Sequence, residues 1–197
     1  MREILPKLLE FPSKYVDNVL KYYFDGDTPF IQSGNEHIFI NMISDRYFHQ
    51  SLYNNVKQFR ENVYTEKIPI HIYKFNFQSE FRYTKRTTNT DRDFGVGYRD
   101  DLLFMFRIPS RFPDIQLGSI EARMSDLYVR VLANFAAHGK KLSWISHKKC
   151  TAEVNGFCSY QEFSKYSDSI KEEVLVKVSD EFRVDAAEFW NEIDERK

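Results

Sequence analysis

Gly95-Val96-Gly97-Tyr98-Arg99-Asp100-Asp101-Leu102-Leu103-Phe104-Met105-Phe106 is the stretch on which the reading of this 197-residue chain turns. Two glycines one residue apart lead into a tyrosine, an arginine and a pair of acids, and apolar Leu102, Phe104 and Phe106 follow at two-residue steps. Upstream, Pro69 to Phe77 also has a period of two, with Ile70, Ile72 and Lys74 on one side and His71, Tyr73 and Phe75 on the other. That pattern predicts a strand covered on both faces. Between the two, Tyr83 to Asp91 is polar and unpatterned and reads as an exposed loop whose basic residues form a solvated surface. Downstream, Ser119 to His138 predicts a helix that buries Ile120, Met124, Leu127, Tyr128, Val131, Leu132 and Phe135, with Gly139 as its C-terminal stop.

Working outward, Ser13 to Phe24, Ile38 to Phe48, Ser51 to Asn62 and Val184 to Glu195 have helical spacing, and Val174 to Val178 reads as a strand. Gly26 is positioned to stop the first helix, and Leu52, Val56 and Phe59 form a stripe on the third. Helices alternating with a few apolar strands indicate the α/β class. At 42% hydrophobic residues, with 18 phenylalanines and 12 tyrosines, the chain has the apolar material for a core, since aromatic rings bury large areas. A net charge of -1 gives no reason to expect nucleic acid or an anionic surface as partner. No run of 18 apolar residues predicts a membrane span. Met1 to Lys7 lacks the apolar core of a signal peptide, and the compartment stays open. Cys150 and Cys158 could close a small loop in an oxidising compartment or remain free thiols in a reducing one.

The central stretch resembles the catalytic-histidine loop of the carboxylesterase type B family, which reads roughly Gly-Val/Ala-x-His-x-Asp-Asp/Glu-Leu/Ile-x-Tyr/Phe-x-Phe. Here Tyr98 stands at the histidine position. Four further segments resemble family landmarks in the same order. Ile43 to Phe48 matches Ser/Thr-Asp-x-x-Phe, and Pro69 to Phe75 the strand before the histidine loop. Leu132 to Gly139 matches Trp-x-Asn-Phe-Ala-x-x-Gly, with Leu132 for the tryptophan, and Arg183 to Trp190 the terminal Arg...Phe-Trp helix. The insect esterases of juvenile hormone type are nearest in flavour. The resemblance runs over about residues 1 to 195 and implies one partial α/β-hydrolase domain over 1–197, the C-terminal third or so of a family member. It also implies several helices around a few mostly parallel strands.

In that fold the nucleophile sits on a Gly-x-Ser-x-Gly elbow and the triad follows in the order Ser, acid, His. No such elbow and no adjacent glycines occur in this chain, so the resemblance implies that nucleophile and acid lie outside it. A phenol, with its ordinary pKa of about 10, stays protonated at neutral pH and does not replace imidazole as base. The expectation is no catalytic residue, no cofactor and no metal. Gly95, Arg99, Asp100 and Asp101 are loop neighbours of Tyr98, the acids orienting the loop through backbone hydrogen bonds and Tyr98 either packing over a vacated site or closing an inactive pocket. Gly156 to Tyr160 imitates a nucleophile elbow for three positions only, and His147, Cys150 and Cys158 fit no common zinc spacing. His71 reads as a packed strand residue, while His37, His49 and His138 fall at helix ends or exposed positions. The roles left open are an inactive segment, a neuroligin-like protein-binding module, and a chain completed by a separate N-terminal half. The Pro69 strand is expected to lack a neighbour on one edge, which favours self-association.

Overall fold

A computed structural model describes residues 2–25, 34–62, 70–90, 92–139, 157–167 and 171–195. Gly26, Pro69, His147, Cys150 and Gly156 lie outside these residues. The fold gathers into two compact units, the first from residues 1–68, 151–157 and 182–197, the second from 69–150 and 158–181.

The first unit is helical. α1 (Leu5–Leu8) is a single turn, α2 (Val16–Phe24) follows a 3-10 turn over Ser13–Tyr15, and α7 (Val184–Glu195) closes the chain. α2 ends at Asp25, whose φ of 53° is left-handed. α3 (Glu36–Ser44) continues through a π-helical turn, Asp45–His49, into α4 (Gln50–Asn62), so the two helices expected over 38–62 are joined without a break. Of the α4 stripe, Val56 is buried while Phe59 is exposed. On α7 the buried residues are Ala186, Ala187, Trp190 and Ile193. This spacing keeps one stripe inward, and the two alanines leave room for Trp190, which packs edge-on against Phe11 at 5.6 Å. Leu5, Leu9, Val19, Leu20 and Met42 complete that core.

The second unit is a three-stranded sheet with one long helix. β1 (Tyr73–Phe75), β2 (Tyr160–Ser167) and β3 (Glu172–Ser179) lie in the order β1-β2-β3. β1 pairs with β2 in parallel, and β2 with β3 antiparallel. The sheet is therefore mixed, one pairing of each kind, where mostly parallel strands were expected. β1 is shorter than the expected Pro69 to Phe77 strand and only half covered, with Tyr73 and Lys74 exposed. Among the described residues it is an edge strand, with a neighbour on one side alone.

α6 (Ile120–His138) matches the expected helix to within one residue. Its N-terminus is capped by Ser119 Oγ, which accepts the Ala122 N–H at 3.1 Å, and Gly139 at φ 57° ends it. A serine cap of this kind is worth about 1 kcal/mol. Ile120, Met124, Tyr128 and Val131 are buried against Phe77, Phe104 and Phe163. Phe135, expected in the core, is 44% exposed, beside the edge strand and with its ring against His71. Two further expectations are corrected. Tyr83–Thr88 is a helix, α5, not a loop. β2 went unforeseen because the middle strand buries polar residues, Gln161, Glu162 and Ser164. Glu162 is satisfied by Asn76 Nδ2 at 3.0 Å and Lys177 Nζ at 3.6 Å, which makes its burial tolerable. Among the described residues no helix is long and apolar enough to cross a membrane.

Candidate functional site

The loop from Phe94 to Phe106 is built by carboxylates that hold glycine amides. Asp93 Oδ1 accepts the Gly95 N–H at 2.8 Å and a hydrogen bond from Gln78 Nε2, and lies 3.7 Å from Arg82. The Gln78 and Gly95 bonds pull the Asp93 carboxyl below its ordinary range. An aspartate two residues before the amide it binds is the usual Asx turn, and Gly95 turns there with φ 77°.

Asp100 is the internal anchor. It is 2% exposed, its Oδ2 accepts the Gly97 N–H at 2.7 Å and its Oδ1 the Tyr83 N–H at 2.8 Å. Burial raises its pKa, and the two amides and Arg82 oppose that without cancelling it. One side chain thereby fixes the loop and the start of α5 together. A Cβ on Gly97 would stand 3.1 Å from Thr84 Cγ2 and 3.3 Å from Asp100 Oδ2, so the loop approaches α5 closely enough that these side chains would have to give by a few tenths of an ångström to admit one. Asp101 does different work: its Oδ2 accepts the one proton of the Tyr128 hydroxyl at 3.1 Å, and the Tyr73 hydroxyl lies 3.0 Å from the Tyr128 oxygen, which is then left to accept from it. Fully buried, Tyr128 has its pKa raised, by burial first and by Tyr73 next.

Tyr98 lies between the Gly97 and Asp100 anchors in the chain. It is 70% exposed, and the Arg99 guanidinium lies over its ring at 5.1 Å. With Gly97 and Asp100 pinned inward, Tyr98 between those anchors is left exposed. Arg99 carries φ 75°, ψ 4°, a left-handed conformation costly for any residue with a Cβ.

The histidines are spread through the fold. His49 Nδ1 bonds Asp45 Oδ1 at 2.8 Å, His138 Nδ1 lies 3.1 Å from the Asn134 carbonyl, and His71, its pKa lowered by burial, packs on Phe135. Cys158 is 2% exposed and disulfide-bonded, so no thiolate is on offer at the false elbow, and Tyr160 begins β2. Among the described residues no group of three or more His, Cys, Asp or Glu could hold a metal ion.

One polar centre was legible only as a motif. Asp45, in the Ser-Asp-x-x-Phe segment, is fully buried and binds Tyr23 Oη at 2.9 Å, His49 at 2.8 Å and Arg183 Nη2 at 3.1 Å. Beside it Arg46 grips Asp194 through two bonds, 2.7 and 3.1 Å, and stacks on Trp190.

Compared with known proteins, residues 2–190 match the model of the carboxylesterase family. The chain is 30% identical over 146 residues to a juvenile hormone esterase of Tribolium castaneum, an alignment covering 68% of this chain and 24% of that protein. The chain thus spans about a quarter of the length of that curated relative. No solved structure matches it significantly.

Proposed function

This chain belongs to the carboxylesterase family, and from that premise we propose that its 197 residues are the C-terminal segment of an esterase-like α/β-hydrolase with no ester hydrolysis of their own. The observation that carries the reading is Tyr98. By resemblance it stands at the position of the family's general base, it is 70% exposed, and the sequence holds no Gly-x-Ser-x-Gly elbow for it to serve. Loss of a triad member removes roughly 10⁴ to 10⁶ in turnover. Both units are read as parts of one domain, and the open edge of β1 is where strands from an N-terminal portion would add to the sheet.

The test is hydrolysis of small aryl and aliphatic esters by the purified chain, together with labelling by a fluorophosphonate serine probe. No turnover above background and no label are expected, for the chain and for Tyr98→His alike, because a base without a nucleophile has nothing to activate. Stoichiometric labelling, or activity in Tyr98→His, would sink the reading. A second reading, a non-catalytic module that holds a protein partner, draws support from the solvent-facing Tyr98 and Arg99, residue types that dominate binding hot spots. A pull-down with Tyr98→Ala and Arg99→Ala variants separates the two.

A further inference from the structure

We propose that the second unit contains a preformed site for a small uncharged amphiphile, in the cavity under the loop from Phe104 to Ile115. The proposal is independent of the catalytic reading above. The cavity has a volume of about 330 Å³, within the range of small-molecule sites, which begins near 300 Å³. Buried Leu103 and Phe104 lie at its base, with Phe81, Phe112 and Ile115 among its walls.

The loop that forms the outer wall is tied down in two places. Arg107 holds Asp114 through two bonds, Nε to Oδ1 at 2.8 Å and Nη2 to Oδ2 at 2.5 Å. From α5, Arg86 Nη1 donates to the Arg111 carbonyl at 2.6 Å, and its guanidinium lies 5.7 Å from the Phe112 ring, which Tyr83 meets edge-on at 5.1 Å. A wall already held this way costs little further ordering when a ligand enters.

The same contacts set the chemistry of the occupant. The lining combines aromatic and aliphatic side chains with polar surface that includes Ser125, which suits an occupant with an apolar body and polar atoms. The charges lining the cavity, Arg107 and Asp114, are bonded to each other and cancel, so neither an anion nor a cation is favoured. A guanidinium has five N–H donors; the bonds to Asp114 use Nε and Nη2.

The test titrates the full chain with N-phenyl-1-naphthylamine, an uncharged aromatic probe that fluoresces on leaving water. Saturable binding of one probe per chain is expected. Ile115→Trp, which fills the cavity, and Phe106→Glu, which puts a charge on a rim residue that is 58% exposed, should each weaken it by about tenfold or more, roughly 1.4 kcal/mol. Phe135→Glu, at the separate cavity of about 130 Å³ beside β1, should leave it unchanged, and the sulfonated analogue 8-anilino-1-naphthalenesulfonate should bind more weakly. Unsaturable binding, binding unaffected by Phe106→Glu, loss in Phe135→Glu, or tighter binding of the sulfonate would each overturn the proposal. Circular dichroism confirms each variant's fold, and the exposed position of Phe106 keeps the test decisive should Ile115→Trp not fold.

Discussion

Asp45 and Asp100 are both buried aspartates, one in each compact unit, and they are satisfied in opposite ways. Asp45 is surrounded by side chains from three helical regions, Tyr23 on α2, His49 on the π-helical turn and Arg183 before α7. Through Tyr23 the network reaches Trp190, whose Nε1–H donates to that hydroxyl at 2.9 Å across 167 residues of sequence. Asp100 instead takes backbone amides, Gly97 three residues away and Tyr83 seventeen. A carboxylate that gathers side chains staples helices together, whereas one that gathers amides dictates the path of a loop. The first should therefore govern stability, and the second the shape of the Tyr98 loop.

The largest expected effect is at the staple. Asp45→Ala leaves Arg183 and Tyr23 without their shared acceptor; with Arg183 37% exposed, the loss of hydrogen bonds to a charged group should cost about 1.5–3 kcal/mol. Urea unfolding followed by tryptophan fluorescence, with Trp190 in the same core, measures it. A loss below about 1 kcal/mol, the size of an exposed pair, would break the contrast. Next in size is Gly97→Ala, which forces a methyl against Thr84 and the Asp100 carboxylate. A cost of about 1–3 kcal/mol is expected from such overpacking, read as a lowered melting temperature.

Asp100→Asn sharpens the comparison through pH. The folded state raises this carboxyl above its ordinary value of 3.8, so the native protein binds the proton more tightly than the unfolded chain. Its contribution is then most favourable below 3.8 and declines as pH rises through the raised value. Melting temperatures across that window should show a downward slope in the parent chain that Asp100→Asn lacks. An unchanged slope would mean the two amides outweigh burial. Asp93, held below its ordinary range, acts with the opposite sign and loses its contribution as pH falls. The smallest effect is at Arg99. Replacement by glycine removes the left-handed strain, and the gain should be about 1 kcal/mol or less, because glycine also frees the unfolded chain. A destabilised Arg99→Gly would show that the stack on Tyr98 outweighs the strain.

The site was legible where its signals are local. The order Gly95, Tyr98, Asp100, Asp101 identified the loop, and Asp93 two residues before Gly95 carries an Asx-turn signal that was readable but passed over. The exposure of Tyr98 was not readable, because it follows from where Asp100 draws the neighbouring backbone. Nor was the division of labour between the two acids, since Asp101 turns to a tyrosine hydroxyl on α6.

By itself the sequence determined α6 from its serine cap to its glycine stop, α7 from Val184 to Glu195, β3 around its valines, and the family to which the chain belongs. These rest on interactions within one or two helical turns or on alternation along one strand, which the order of residues carries directly. Only the tertiary structure decided that polar β2 is the middle strand, that β1 is short, that Phe135 is exposed, and that Asp45 joins three helical regions. For β2, Glu162 and Asp45 a deciding partner is far away in sequence: β1 for β2, Asn76 for Glu162 and Arg183 for Asp45. A polar residue can be buried only where such a partner meets it, and local periodicity contains no record of that meeting.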